Sequence, residues 1–191
     1  MSDIIWLGNV YLIYSRYVIV LAATCTNDGQ VPIRNLLLQQ HNRARAAAVR
    51  KSDDQLSKLL VEGWEPVADS GFSVTSGPML TRKNGPYSEF GFLATEAHLN
   101  PSGMVHGGAI MTLIDIVLGG AAREQLNIKG HVTIQLDIKF QSPANCGDFL
   151  QGQGRICRDT SSIVFLDGDV AVGPRVVASA TGLWKKRRPP A

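Results

Sequence analysis

Two glycines, followed eight residues later by a lone carboxylate, are the part of this sequence best suited to chemistry. The run His98-Leu99-Asn100-Pro101-Ser102-Gly103-Met104-Val105-His106-Gly107-Gly108 leads into Ala109-Ile110-Met111-Thr112-Leu113-Ile114-Asp115. Glycine is a poor helix former, so Gly107 and Gly108 at a helix start require a reason. Bare backbone N–H groups at such a start stay open to a ligand, and the helix dipole favours negative charge developing there. An oxyanion hole has the same needs. A plain loop-to-helix junction is the alternative reading of the glycines taken alone.

Asp115 stands between Ile114 and Ile116 in an otherwise apolar stretch, where a carboxylate costs desolvation energy and needs a partner or a purpose. A structural Asp bonded to a loop amide and a catalytic base are both open, and the glycine junction favours the base. An apolar setting disfavours the charged form and so strengthens the carboxylate as a proton acceptor. Eight residues of helix rise about 12 Å at roughly 1.5 Å each. A carbonyl held at the Gly107 amide is therefore out of reach of Asp115 on the same helix. If both act on one substrate, Asp115 comes from a second subunit, which implies a homodimer with two composite sites.

The elements that must position these residues follow from punctuation and period. An apolar helix over about Val105–Glu124 is preceded by two strands, Pro78–Lys83 and Tyr87–Thr95, flanking the hairpin signal Asn84-Gly85. Four strand-like runs follow it: Val132–Gln141, Phe149–Cys157, Ile163–Val172 and Val176–Trp184. Alternation in the first puts Ile134, Leu136, Ile138 and Phe140 on one face, with Gln135, Asp137 and Lys139 on the other. A helix apolar on nearly every side must be wrapped, so the expected fold is α+β, an antiparallel sheet around one long central helix. Upstream, Ser52 with Gln55 reads as a capping box for a short helix with Leu56, Leu59 and Leu60 on one face, ended by Gly63. Another helix is expected from Pro32 to about Arg50.

The chain has 191 residues, 45% hydrophobic and 18% charged, enough for one domain with a sizeable core plus some excess. Its net charge of +3 gathers at Arg34–Lys51 and Lys185–Arg188 without interleaved aromatics, which gives no nucleic-acid footprint. Cys25, Cys146 and Cys157 form no C-x-x-C pair and leave an odd thiol, pointing to a reducing, cytoplasmic setting and to no metal site. Ile4–Ala23 is long and apolar enough to cross a bilayer on length alone, but Asn9, Ser15 and Arg16 interrupt it. A membrane anchor or a signal peptide is not expected. The domain reading is an N-terminal extension over 1–50, partly helical or disordered, a folded domain over 51–186 and a basic tail over 187–191.

Asn100, Gly103, His106, Gly107, Gly108 and Asp115 together resemble the hotdog-fold acyl-CoA thioesterases of the PaaI-like group. The resemblance runs from about Ser52 to Lys186 and includes Ser142-Pro143 after the first long strand. It implies that the Gly107 amide polarises a thioester carbonyl, with Asn100 beside it, and that the partner subunit supplies Asp115 as general base or nucleophile. It further implies a water-orienting hydroxyl at Thr133 and a loop-fixing role for His106, which would hold the Asn100 side chain. Gly108 and His98 are taken as substrate contacts. Acyl-CoA enters as substrate, no cofactor is required, and the assembly is a homodimer or a dimer of dimers. Lys139, Arg155, Arg158 and Lys185–Arg188 are candidate contacts for coenzyme A phosphates. The competing readings are a non-catalytic acyl-CoA-binding regulator on the same fold and a hotdog hydratase, whose signatures are absent.

Overall fold

The computed structural model describes residues 3–7, 10–15, 18–23, 52–67, 71–85, 87–128 and 130–187, with side chains described from residue 52 onward. The chain divides into two compact units, Met1–Asp53 and Asp54–Ala191. In the first, β1 (Asp3–Leu7), β2 (Val10–Ser15) and β3 (Val18–Ala23) pair as an antiparallel meander. Leu7 lies opposite Val10, and Ser15 opposite Val18. The apolar run Ile4–Ala23 is thus three short strands, which suits its β-branched and aromatic residues. The helix expected over 32–50 lies outside the described residues. Among the described residues, no helix is long and apolar enough to cross a membrane.

The helix α1 (residues 52–61) spans the boundary at Asp54 and ends at Gly63 with φ 88°. Ser52 is already helical, and Gln55 Nε2 donates to the Gly147 carbonyl at 2.9 Å. The Gln55 side chain thus ties α1 to a distant loop. Leu59 packs with Trp64 and Leu80 in a small cluster joined by Leu56, whereas Leu60 is exposed.

Next come β4 (Glu65–Pro66), α2 (Phe72–Thr75), β5 (Leu80–Asn84) and β6 (Tyr87–Leu93). The hairpin turn starts one residue later than expected, because Asn84 is still paired, with Tyr87, and Gly85 takes the positive φ of 60°. The helix α3 (Gly107–Gln125) precedes β7 (His131–Phe140), β8 (Phe149–Asp159), β9 (Ile163–Val172) and β10 (Arg175–Lys186).

Seven strands form one antiparallel sheet in the order β4-β5-β6-β8-β9-β10-β7. Leu113, Ile114, Val117, Leu118 and Ala122 of α3 are buried against Phe90, Phe92, Leu150, Leu166, Val170 and Trp184. The helix approaches closely because Gly154 and Gly168 face each other across β8 and β9. A Cβ at Gly154 would sit 2.8 Å from Ala121 Cβ, and one at Gly168 2.9 Å from Leu118 Cδ2. Alanine at either position would push the helix off the sheet. The antiparallel sheet around one long central helix is the expected fold.

Two departures bear on function. First, the single chain does not wrap α3 fully: Met111 is exposed, and Thr112, Asp115 and Ile116 are only half-buried. Second, β7 does not alternate as expected. Gln135 pairs with Leu183 but Thr133 pairs with Trp184, so Ile134 is an extra, bulged residue. Leu136 and Ile138 reach the core, whereas Ile134 is exposed.

Candidate active site

The segment before α3 is a tight, fastened loop. Asn100 N donates to Met104 O at 2.7 Å, and Gly103, at φ 82°, donates to Asn100 O at 2.9 Å. The Asn100 side-chain oxygen accepts from Ser102 N at 2.9 Å and Met104 N at 3.2 Å. Its oxygen is thus used to fold the loop, and its NH2 group, a donor, has no partner among the described residues. The loop's exit is pinned by Val105 N to Ala144 O at 2.8 Å and His106 N to His98 O at 2.7 Å.

The first turn of a helix presents four N–H groups with no partner inside the helix. Here three are paired, the His106 N–H by the His98 carbonyl and two others by His106 itself. His106 is the N-cap: its Nδ1 accepts from Gly108 N at 2.8 Å, and its carbonyl accepts from Ala109 N at 2.9 Å and Ile110 N at 3.4 Å. Only the Gly107 N–H has no partner among the described residues, so it is the donor that the helix start leaves for a ligand. His106 therefore fixes the helix start, and among the described residues it makes no hydrogen bond to the Asn100 side chain. The Gly108 N–H is occupied. A Cβ at Gly107 would also lie 3.2 Å from the Phe140 ring, which would have to shift slightly to admit a side chain.

His98 is buried, and both ring nitrogens are engaged within the chain. Nδ1 accepts from Thr95 N at 2.9 Å, and Nε2 donates to the Ser76 carbonyl at 2.8 Å, which fixes the neutral tautomer with its proton on Nε2. The ring packs against Phe92, 4.7 Å between centroids. This arrangement ties α2 to the loop and leaves neither ring nitrogen for a substrate, contrary to the expectation for His98.

Asp115 sits two turns along α3, half-buried, and Thr133 Oγ1 donates to its Oδ1 at 2.8 Å. The bulge at Ile134 is what makes this contact. Residues opposite one another in an antiparallel pair share a face, so Thr133 joins the buried Trp184 on the helix side of the sheet. Unbroken alternation from Gln135 would have sent Thr133 outward. His131, two residues back, shares that face and lies over Gly119, where a Cβ would sit 3.0 Å from its Cε1. Burial holds His131 below the usual imidazole range; Arg123 lowers it further, while the Asp115 charge and a bond to the Gly119 backbone act the other way. The sequence signal for His131 was present, a His two residues before Thr133, but only the bulge gives it a direction.

Within one chain Asp115 meets Thr133, while the Gly107 N–H opens at the start of α3 and the Asn100 NH2 group lies in the loop before it. With α3 beginning at Gly107, the helix rise of about 12 Å holds Gly107 and Asp115 apart. Of the cations considered for coenzyme A, Arg155 pairs with Asp167 at 2.9 Å, and Lys186 is taken up by Asp159. Among the described residues no group of three His, Cys, Asp or Glu could hold a metal ion.

The sequence profile of the Thioesterase superfamily matches residues 102–178, a span holding Gly107, Asp115 and Thr133. A Pseudomonas aeruginosa protein named provisionally as an esterase is 34% identical over 90 residues, 47% of this chain and 67% of that protein. A Ralstonia eutropha JMP134 protein named provisionally as a thioesterase, and described as related to phenylacetic acid degradation, superposes with a TM-score of 0.52 at 26% identity over 63% of this chain and 92% of its own. A Streptococcus pneumoniae TIGR4 protein named provisionally as a thioesterase, solved with coenzyme A, shares the fold with a TM-score of 0.54 at 22% identity, over 59% and 88%. Sheet and central helix agree with these relationships: the chain belongs to the thioesterase superfamily and carries a PaaI-like hotdog domain.

Proposed function

We propose that this protein hydrolyses acyl-CoA thioesters to a carboxylic acid and free coenzyme A, as a homodimer with two composite sites. The observation that carries the reading is the Gly107 N–H, the only first-turn donor of α3 without a partner among the described residues. The thioester carbonyl oxygen accepts from that N–H and from the Asn100 amide. Asp115 of the second subunit, held by Thr133, takes a proton from water as the water oxygen attacks the carbonyl carbon. The tetrahedral oxyanion then collapses, the C–S bond breaks, and the thiolate leaves and is protonated. Preorganised donors at the oxyanion are each worth roughly 10²–10³ in rate, and a placed base roughly 10²–10⁴.

The dimer reading is supported by the open edge of β7, which pairs only with β10 and exposes Val132 and Ile134 at 53% and 52%. A second copy adding to this edge would also cover the open flank of α3 at Met111 and Asp115. The exposed thiols of Cys146 and Cys157 suit a reducing, cytoplasmic setting.

Thiol release from a panel of acyl-CoAs tests the reading. Hydrolysis of at least one thioester, reduced about a hundredfold or more in Asp115→Asn, is the expected result. Full activity in that variant removes Asp115 from the chemistry. Tight coenzyme A binding without turnover of any thioester would move the protein to the non-catalytic regulators.

A further inference from the structure

The inner face of β7 carries an ionisable group aimed at α3 beside Thr133. Thr133 meets Asp115, and two residues earlier His131 meets Gly119, which lies one helical turn after Asp115. Four residues of helix rise about 6 Å, so the imidazole lies within the range where one charge alters another. The site is built to receive the ring. Gly119 has no side chain, a Cβ there would lie 3.0 Å from His131 Cε1, and the same point is 3.4 Å from Trp184 Nε1. An alanine would fit the helix better by intrinsic propensity but would displace the imidazole.

We propose that His131 is a positioning residue for hydrolysis, a neutral neighbour whose protonation sets the acid limit at which Asp115 can accept a proton. The inference rests on Asp115 acting as the base. A neutral imidazole leaves the carboxylate free to take a proton from water. A protonated one places a cation beside it, stabilises the carboxylate and makes it a poorer acceptor.

The groups facing His131 fit this role. From α3 come Asp115, which favours the cation, and Arg123, which opposes it. From β10, Lys186 lies opposite His131, but its Nζ is held by Asp159 and by the Thr160 carbonyl. Arg187 passes beside Gly130, adding positive charge on that side. Burial and Arg123 together keep the ring neutral near neutral pH, and Asp115 supplies the coupling.

Two measurements test this. The first follows the His131 ring resonance by NMR through a pH titration, with His131→Gln used for assignment. In Asp115→Asn the midpoint moves to lower pH, because the carboxylate that favours the cation is gone; an unmoved midpoint overturns the coupling. The second compares pH profiles of kcat/KM. In His131→Gln the ratio of activity at about pH 5.5 to that at about pH 8 rises on the order of threefold or more. A ratio equal to that of the parent protein overturns the proposal, whatever the absolute rates. If Asp115→Asn hydrolyses thioesters at full rate, the assignment of the base fails, and the titration still reports separately on the pairing.

Discussion

Thr133 Oγ1 donates to Asp115 Oδ1 at 2.8 Å, and the residue that makes this contact is neither of them but Ile134, the bulge that turns Thr133 toward α3. A hydroxyl donating to a carboxylate fixes which oxygen faces the substrate. Hydrogen bonds to charged groups contribute roughly 1.5–3 kcal/mol. Thr133→Ala should therefore lower kcat about tenfold or more with little change in KM, and Thr133→Ser should restore most of it. A Thr133→Ala enzyme with parental kcat would show that the hydroxyl only packs.

Gly107→Pro offers a clean deletion of one donor. Proline is at home in the first turn of a helix, where its missing N–H would have no partner in the helix. The residue before a proline must be extended, and His106 already is, at φ −63° and ψ 136°. The added Cβ presses on the Phe140 ring, which is 54% exposed. The variant should fold with a near-parental melting temperature and lose about 10²–10³ in kcat. Thermal unfolding and thiol release on the same preparation check both halves, and a fully active variant would dismiss the Gly107 amide as the oxyanion donor.

The fold was legible because its signals were long: strands separated by Gly, Pro and Ser breaks, and an apolar helix that only a sheet could cover. The helix start was legible too, since His106-Gly107-Gly108 is costly without a use for the backbone. What stayed hidden was short or compensated. The four residues of α2 span barely one turn and show no period, and the three strands within Ile4–Ala23 read as one apolar run. The bulge in β7 was invisible because Ile134 fits the core pattern of Leu136 and Ile138 so well that alternation alone places it inward. His98 looked like a substrate contact from its neighbours in sequence, and only burial shows that its ring is tied to Thr95 and Ser76.

His131 also predicts how stability depends on pH. Its folded value lies below the unfolded 6.5, first through burial and then through Arg123. Between those two values the unfolded chain binds more protons, so stability rises with pH there. The contribution is complete above about 6.5 and is lost as pH falls toward the folded value. Denaturant midpoints across pH 5 to 7.5 should show this slope in the parent protein and a flatter one in His131→Gln. Parallel slopes would mean that the ring titrates alike in both states.

The open edge of β7 should be sensitive to charge. Val132 is exposed and lies opposite Lys185 on β10, away from the helix side. A lysine there disfavours strand addition at an edge, while costing little in the monomer, where the position is already in water. Val132→Lys should sediment as a monomer, retain its helix and strand content, and lose activity because neither Gly107 nor Asp115 has its complement. An active monomer would place a whole site in one chain.

Mixing two inactive proteins decides the same question by arithmetic. In a two-fold dimer each site draws Gly107 from one chain and Asp115 from the other. A dimer of one Gly107→Pro chain and one Asp115→Asn chain then holds one site with both defects and one with neither. Random exchange makes half of the dimers mixed, each with one intact site of two, so about a quarter of parental activity should return. The recovery should appear at the rate of subunit exchange, followed in parallel by fluorescence transfer between labelled chains. Exchange without recovery would mean that Gly107 and Asp115 of the same chain serve one site, which the rise of about 12 Å along α3 opposes.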